Sequence, residues 1–148
     1  AGALMSIQSV KGVQIGDAYQ QAASLGSNAQ DEIIGLSSGH IERASNHAGG
    51  IEGGISNGSV LRVSAALKPI STVPRALRSV DLADGTAATA LHQRSDTCAV
   101  VPAAVIAQAE VAMVLADALL EKTGGDSLLE AKRNLAGYLE DVAERTNW

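Results

Sequence analysis

The chain has 148 residues, of which 46% are hydrophobic, and a formal net charge of −5. This length suffices for one domain with a core. Phe is absent, so the core must be built almost entirely from aliphatic side chains. An acidic chain with few aromatic residues and no basic run argues against a nucleic-acid partner. The single cysteine, Cys98, excludes an internal disulfide and is typical of a reducing cytoplasm.

The first third of the chain predicts a helix, a strand, a second helix and a hairpin. Residues 1–7 are apolar from the start, as if the chain began inside a helix. Residues 10–19 alternate in polarity and predict a strand. A capping pattern with acidic residues in the first turn predicts a short helix within residues 22–34. Residues 35–45 predict a hairpin that turns at residues 37–39.

The stretch 46–72 is the one around which the chain is organised. Its glycine-rich first part predicts a loop with positive φ angles and room for a ligand close to the main chain. Residues 60–67 alternate and predict a strand. Lys68, Ser71 and Thr72 follow it with one cation and two hydroxyls, which suit an anionic, phosphate-bearing ligand. The five glycines are Gly49, Gly50, Gly53, Gly54 and Gly58.

Composition alone leaves another interpretation of this stretch open. The glycines match neither G-x-G-x-x-G nor G-x-x-x-x-G-K-[ST], the two fixed phosphate-binding patterns. A surface loop followed by a solvated Lys68 would have the same composition. On composition alone, the surface-loop interpretation is slightly favoured over a phosphate site.

The second half of the chain predicts a hairpin and two long helices. Residues 75–82 and 86–91 flank a turn at 83–85. Pro102 opens a helix to about residue 121, which Gly124–Gly125 ends. Residues 101–120 are largely apolar, but Glu110 and Asp117 favour a buried helix over a membrane span. Asp126 or Ser127 caps a last helix over residues 128–145.

Arg94 and Asp96 lie two residues apart, so in extended backbone they point to the same side. The arginine can grip a carboxylate or phosphate with two hydrogen bonds, and the aspartate can accept or relay a proton. An internal ion pair at the start of the helix is the structural alternative.

No metal site is predicted. His40, His47 and His92 match no ligand spacing, and Cys98 has no C-x-x-C partner. We therefore interpret the histidines as ordinary loop residues and Cys98 as a small buried residue beside the long helix.

Four of these segments, in this order, resemble the C-terminal half of the chorismate synthase family. The resemblance covers residues 3 to about 134. It implies an α+β fold, part of a β-α-β sandwich with antiparallel sheets packed on long buried helices. Residues 1–148 would then be the C-terminal portion of the domain, in a cytoplasmic homotetramer. The segments are M-S-I-Q-S-V-K-G-V-Q-I-G-D, N-H-A-G-G-I-E-G-G-I-S-N-G, A-L-K-P-I-S-T and R-S-D.

The resemblance also implies a chemistry. The family eliminates phosphate from 5-enolpyruvylshikimate 3-phosphate in an anti-1,4 sense and forms chorismate. It needs reduced FMN, which is not consumed, and some members use NADPH as reductant. The family's catalytic histidines lie in its N-terminal half, so this chain alone is expected to be inactive. The alternative is a non-catalytic flavin-binding or oligomerisation module, with the apolar helix driving self-association.

Site residues follow from the same resemblance. Ser9 departs from the family's usual alanine, and Gln108 departs from its usual glutamate. Arg94 would contact both flavin and substrate, and Asp96 would assist proton transfer at the flavin N5. The cofactor-binding residues would be Gln8, Ser9, Gly53, Lys68, Pro69, Ile70, Ser71, Thr72 and Arg94.

Overall fold

The computed structural model describes residues 1–37, 40–91 and 97–145. Within these ranges, three short helices and eight short strands precede two long helices, and the strands pair as four two-stranded sheets, all antiparallel. The predicted α+β class is confirmed. The helices are α1 (Gly2–Ser6), α2 (Ala18–Ala22), α3 (Gly26–Ala29), α4 (Val100–Thr123) and α5 (Leu128–Arg145). The strands are β1 (Val10–Ile15), β2 (Ile33–Ser37), β3 (His40–Arg43), β4 (Ile51–Glu52), β5 (Ile55–Ser56), β6 (Val63–Leu67), β7 (Arg78–Val80) and β8 (Ala87–Thr89).

The β1–β6 ladder organises the fold. It runs from Ile15 opposite Val63 to Val10 opposite Leu67, with a register shift near Val10. Alternate residues of β6 are half-buried and exposed, as the period of a strand requires. Helix α1 packs against both β1 and α4. The small core therefore lies where α1, the ladder and the first turns of α4 meet, and its buried residues there are Leu4, Val10 and Ala103.

The segment between β1 and β3 differs from the sequence prediction. The first strand ends at Ile15 and is followed by α2, which was not predicted, whereas α3 is the short helix predicted within 22–34. Asp31, expected as an acid of the first helical turn, lies after α3 instead; it is buried and accepts hydrogen bonds from residues 45–48. The predicted hairpin is confirmed as β2–β3, although residues 38–39 of its turn lie outside the described ranges. The hairpin around residues 83–85 is confirmed as β7–β8, with shorter strands.

Helix α4 forms as predicted, two residues earlier than Pro102, but it is not buried within this chain. Ala103 is its single buried residue, and exposed apolar side chains extend along its length. By length and composition α4 is the one helix in the described ranges that could cross a membrane, which is weak evidence by itself. The apolar composition predicted that α4 would be buried. Burial also requires another element to pack over the helix, and composition does not show whether one does.

The ends of the two long helices follow the predicted signals. Gly124 takes a φ of 60° after α4, and its N–H donates to Leu120 O at 2.7 Å. Ser127 Oγ accepts from Glu130 N at 3.2 Å, and α5 spans the predicted residues 128–145. Lys122 lies 4.0 Å from the centre of the Tyr138 ring, which ties the two helices together.

Cys98 is exposed, contrary to the sequence prediction. It lies in the loop before α4, where its Sγ accepts a hydrogen bond from Val100 N. A small apolar residue beside a helix is buried only when another element covers it, and none of the described elements covers this loop.

Candidate functional site

The glycine-rich loop lies at the Ile15–Val63 end of the ladder. All five of its glycines have φ between 59° and 85°, as the sequence predicted. Gly53 and Gly54 form the two-residue turn of the β4–β5 hairpin, where positive φ at both positions is typical of a tight hairpin. A Cβ on Gly49 would lie 2.3 Å from Gly16 N, so this contact between two backbones admits only glycine.

A buried carboxylate holds the residues that lead into this loop. Asp31 accepts from the Ser45 hydroxyl, from His47 N at 2.7 Å and from Ala48 N at 2.9 Å. Burial alone would raise the Asp31 pKa, but these hydrogen bonds outweigh it and hold the pKa below its ordinary value. The hydrogen-bond donors of the loop therefore stabilise the charged form of Asp31.

A second carboxylate joins the loop to both strands of the ladder. Asp17 accepts from His47 Nδ1 at 2.9 Å and pairs with Arg62 Nη2 at 3.0 Å. The hydrogen bond with His47 and then that with Arg62 lower the pKa of Asp17. His47 is thus part of a structural network. Sequence reasoning missed this network, because residues 14 to 45 positions apart in the chain give no local signal.

The opposite end of the ladder carries most of the predicted cofactor-binding residues. Lys68 N donates to Ser9 O at 2.8 Å, so the Gln8–Ser9 pair and the Lys68 segment are adjacent. Ser9 has a φ of 71°, the only positive φ among non-glycine residues in the described ranges. Such a strained conformation in a non-glycine residue is often found at a functional site.

Two open clefts adjoin this end of the ladder and share Leu67 and Ala99 on their walls. The first has a volume of about 370 Å³ and is lined by Gln8 and Ser9 among others. The second has a volume of about 260 Å³ and lies between Lys68 and the start of α4. The described remainder of its wall consists of Pro69, Ile70, Thr97, Cys98 and Val100.

The polar groups at this end are suited to an anion. Lys68 and Ser71 are exposed, and the half-buried Thr72 has an Oγ1 that lacks any hydrogen-bond partner. Ala99 provides no side-chain cap for α4, but Val100 N donates to Cys98 Sγ, and Pro102 has no N–H, so the start of this helix offers few free donors. One cation and two hydroxyls form a donor set that fits a phosphate.

The structure does not bring every predicted site residue together. Gly53 lies on the exposed tip of the β4–β5 hairpin, beyond the other end of the ladder. The four residue steps of β6 separate the two ends by about 13 Å. Arg94 and Asp96 lie outside the described residues. Elsewhere in the described ranges, no group of His, Cys, Asp and Glu side chains could hold a metal ion.

Comparison with known proteins identifies the family. The chorismate synthase family model matches residues 1–120. The chain belongs to the chorismate synthase family. It is 61% identical over 145 residues to a chorismate synthase of Beutenbergia cavernae, covering 98% of this chain and 37% of that protein. A chorismate synthase of Corynebacterium diphtheriae is also 61% identical over 145 residues, covering 98% of this chain and 36% of that protein.

A solved structure of chorismate synthase supports the same fold. It superimposes with a TM-score of 0.75 at 40% identity, over 97% of this chain and 35% of that chain. The chain therefore spans little more than a third of the length of the chorismate synthases that it matches. The family and the fold apply to the chain, whereas an activity of the whole enzyme needs a separate argument.

Proposed function

We propose that the chain is the C-terminal portion of an FMN-dependent chorismate synthase. The complete enzyme would convert 5-enolpyruvylshikimate 3-phosphate to chorismate by anti-1,4-elimination of phosphate, within the biosynthesis of aromatic amino acids. The observation that carries the proposal is the hydrogen bond from Lys68 N to Ser9 O. It joins two segments that are 59 positions apart in the chain, and the family resemblance assigns both to the flavin.

The open end of the ladder would hold the phosphate of FMN. Lys68 supplies a fixed positive charge, and Ser71 and Thr72 supply hydroxyl donors. The Thr72 Oγ1, which is buried and without a partner, fits this role because a ligand oxygen would satisfy it. Pro69 fixes the backbone between these groups and restricts the segment before any ligand arrives.

The remaining contacts would position the flavin ring and the substrate. Gln8 and Ser9 would touch the cofactor, and Gly53 would let the ring lie close to the backbone. Arg94 would contact both flavin and substrate, and Asp96 would assist proton transfer at the flavin N5. The elimination is redox-neutral overall, so reduced FMN would assist it when bound without being consumed. Ile70 would contact the cofactor as well.

The chain by itself would have no turnover, because the family's catalytic histidines belong to the other part of the enzyme. The complete enzyme would be a cytoplasmic homotetramer, with NADPH as a candidate reductant of FMN. A test replaces the matched 145 residues of the Beutenbergia cavernae enzyme with this chain. We expect the chimera to form chorismate with reduced FMN and the isolated 148-residue chain to form none. An inactive but folded chimera would contradict the proposal.

A titration of FMN into the chimera tests the phosphate anchor. Lys68→Ala should weaken FMN binding about tenfold or more, since it removes a charged partner of the phosphate. Lys122→Ala is the matched control, because it removes the same charge from the far end of α4. Equal losses in the two variants would refute the assignment of Lys68.

The second candidate is a non-catalytic flavin-binding or oligomerisation module. The observation that favours it is the exposed apolar surface of α4. Sedimentation of the isolated chain distinguishes the two candidates when combined with the chimera. Self-association together with an inactive chimera would support the module, whereas an active chimera supports the enzyme.

A further inference from the structure

The β4–β5 hairpin is too short to hold its own shape. Each strand has two residues, joined by Gly53 and Gly54, and no atom lies within 4 Å of where a Cβ on either glycine would be. A two-stranded hairpin of this length is marginal in water. Contacts outside the hairpin must therefore fix the conformation of its turn.

One carboxylate oxygen supplies those contacts. Glu52 Oε2 lies 2.9 Å from Arg43 Nη2 on β3, and it accepts a second hydrogen bond from Asn57 Nδ2 at 2.7 Å. Asn57 in turn closes the base of the hairpin, where its N–H donates to Gly50 O at 3.0 Å. Glu52 thus connects the strand before the loop with the residue that follows β5.

Arg43, which pairs with Glu52, is largely buried, and part of its guanidinium has no hydrogen-bond partner. The Arg43 side chain is 12% exposed, and its Nε and Nη1 are buried without a hydrogen-bond partner. Glu52 provides the negative charge that neutralises this guanidinium. Removal of the Glu52 charge would leave a largely buried cation unpaired, so the pair resists separation.

We propose that Glu52, through its pair with Arg43, is a positioning residue that fixes the Gly53–Gly54 turn for the flavin ring. The Arg43 charge also cancels that of Glu52, which would otherwise repel an anionic cofactor beside Gly53. The inference rests on the proposed function, in which Gly53 lies under the flavin. Glu52 itself touches neither the flavin nor the substrate in this proposal.

The test uses Glu52→Gln in the chimera, with Glu42→Gln as the matched control. Glu42 is exposed on β3, next to Arg43, and its variant removes the same charge. We expect Glu52→Gln to weaken FMN binding about tenfold, as the loss of a charged hydrogen-bond partner implies, and Glu42→Gln to leave it unchanged. Arg43→Met should weaken binding similarly, and the double variant should add little, because both changes break one pair.

A second measurement does not depend on FMN. Amide hydrogen exchange in the isolated chain should show faster exchange at Asn57, whose N–H closes the hairpin, in Glu52→Gln but not in Glu42→Gln. Unchanged exchange would overturn the positioning role. Faster exchange with unaltered FMN affinity would overturn its link to the flavin. Failure of the proposed function is separate: Lys68→Ala would then leave FMN binding intact, whatever Glu52→Gln does.

Discussion

The two ends of the β1–β6 ladder differ in how far their polar groups are satisfied. At the glycine-loop end, Gly49 packs on Gly16, and Asp31 and Asp17 accept hydrogen bonds from the loop and from Arg62. At the other end, the Thr72 hydroxyl has no partner and Ser9 adopts a strained backbone conformation. The two carboxylates of the first end are satisfied within this chain, although Arg43 Nε and Nη1 beside the β4–β5 hairpin are not. The other end has a free hydroxyl and a lysine available for a ligand.

This difference separates residues that hold the fold from residues that would bind. A satisfied network stabilises a single conformation, and its loss should be measured as a loss of stability. Unsatisfied donors and local backbone strain lower the free energy of unfolding. They are often retained where a ligand binds to them. Substitutions at the glycine-loop end should therefore change unfolding, and those at the Ser9–Lys68 end should mainly change binding.

The largest expected effect is at Gly49. Gly49→Ala should lower the free energy of unfolding by about 4 kcal/mol or more, because its Cβ would overlap the Gly16 backbone. Gly53→Ala is the control: its φ is similar but the space around it is open, so strain alone should cost about 1–2 kcal/mol. Urea unfolding of the isolated chain measures both, and equal losses would mean that the contact with Gly16 is unimportant.

An intermediate effect is expected at Asp31. Asp31→Asn should lower the free energy of unfolding by about 2–3 kcal/mol, because the amide cannot accept all the loop's hydrogen bonds. Asp117→Asn, on the exposed face of α4, should have little effect. A variant as stable as the wild type would show that the network at this end is not what holds the loop.

The same carboxylate predicts a pH dependence. The folded-state pKa of Asp31 is lowered from the ordinary value of 3.8, so the unfolded chain takes up its proton first on acidification. The stabilisation is complete above that value and is lost as the pH falls through the lowered pKa. Asp31→Asn should therefore lose less stability than the wild type between neutral and acidic pH. An equal loss of unfolding free energy in the two proteins over this pH range would contradict the prediction.

The smallest change in the free energy of unfolding is expected at Ser9, where a substitution should stabilise the protein. Ser9→Gly should raise the free energy of unfolding by about 0.5–1 kcal/mol, because glycine adopts a positive φ without strain. Ser9→Ala keeps the strain and should give no gain. A loss of stability in Ser9→Gly would indicate that the Ser9 side chain, rather than its backbone, holds this end of the ladder.

Local patterns predicted the elements whose cause is local. The alternation of residues 60–67 predicted β6, the glycines predicted positive φ, and Ser127, one of two predicted caps, marked the start of α5. The short helix predicted within 22–34 forms as α3 (Gly26–Ala29), but Asp31, expected in its first turn, lies outside it and accepts hydrogen bonds from residues 45–48. A first-turn acid and a tertiary acceptor look alike in the sequence, since both are an aspartate ahead of an apolar run.

The sequence by itself determined the family and the α+β class, because residue order is a local property. A phosphate as the ligand of Lys68, Ser71 and Thr72 stays a prediction. The tertiary structure alone decided that Ser9 meets Lys68, that Gly49 packs on Gly16 and that α4 is exposed in this chain. The first two are contacts between segments far apart in the chain, and the third is a helix that the other described segments leave largely exposed. Such features depend on which surfaces the fold brings together, which local sequence patterns do not show.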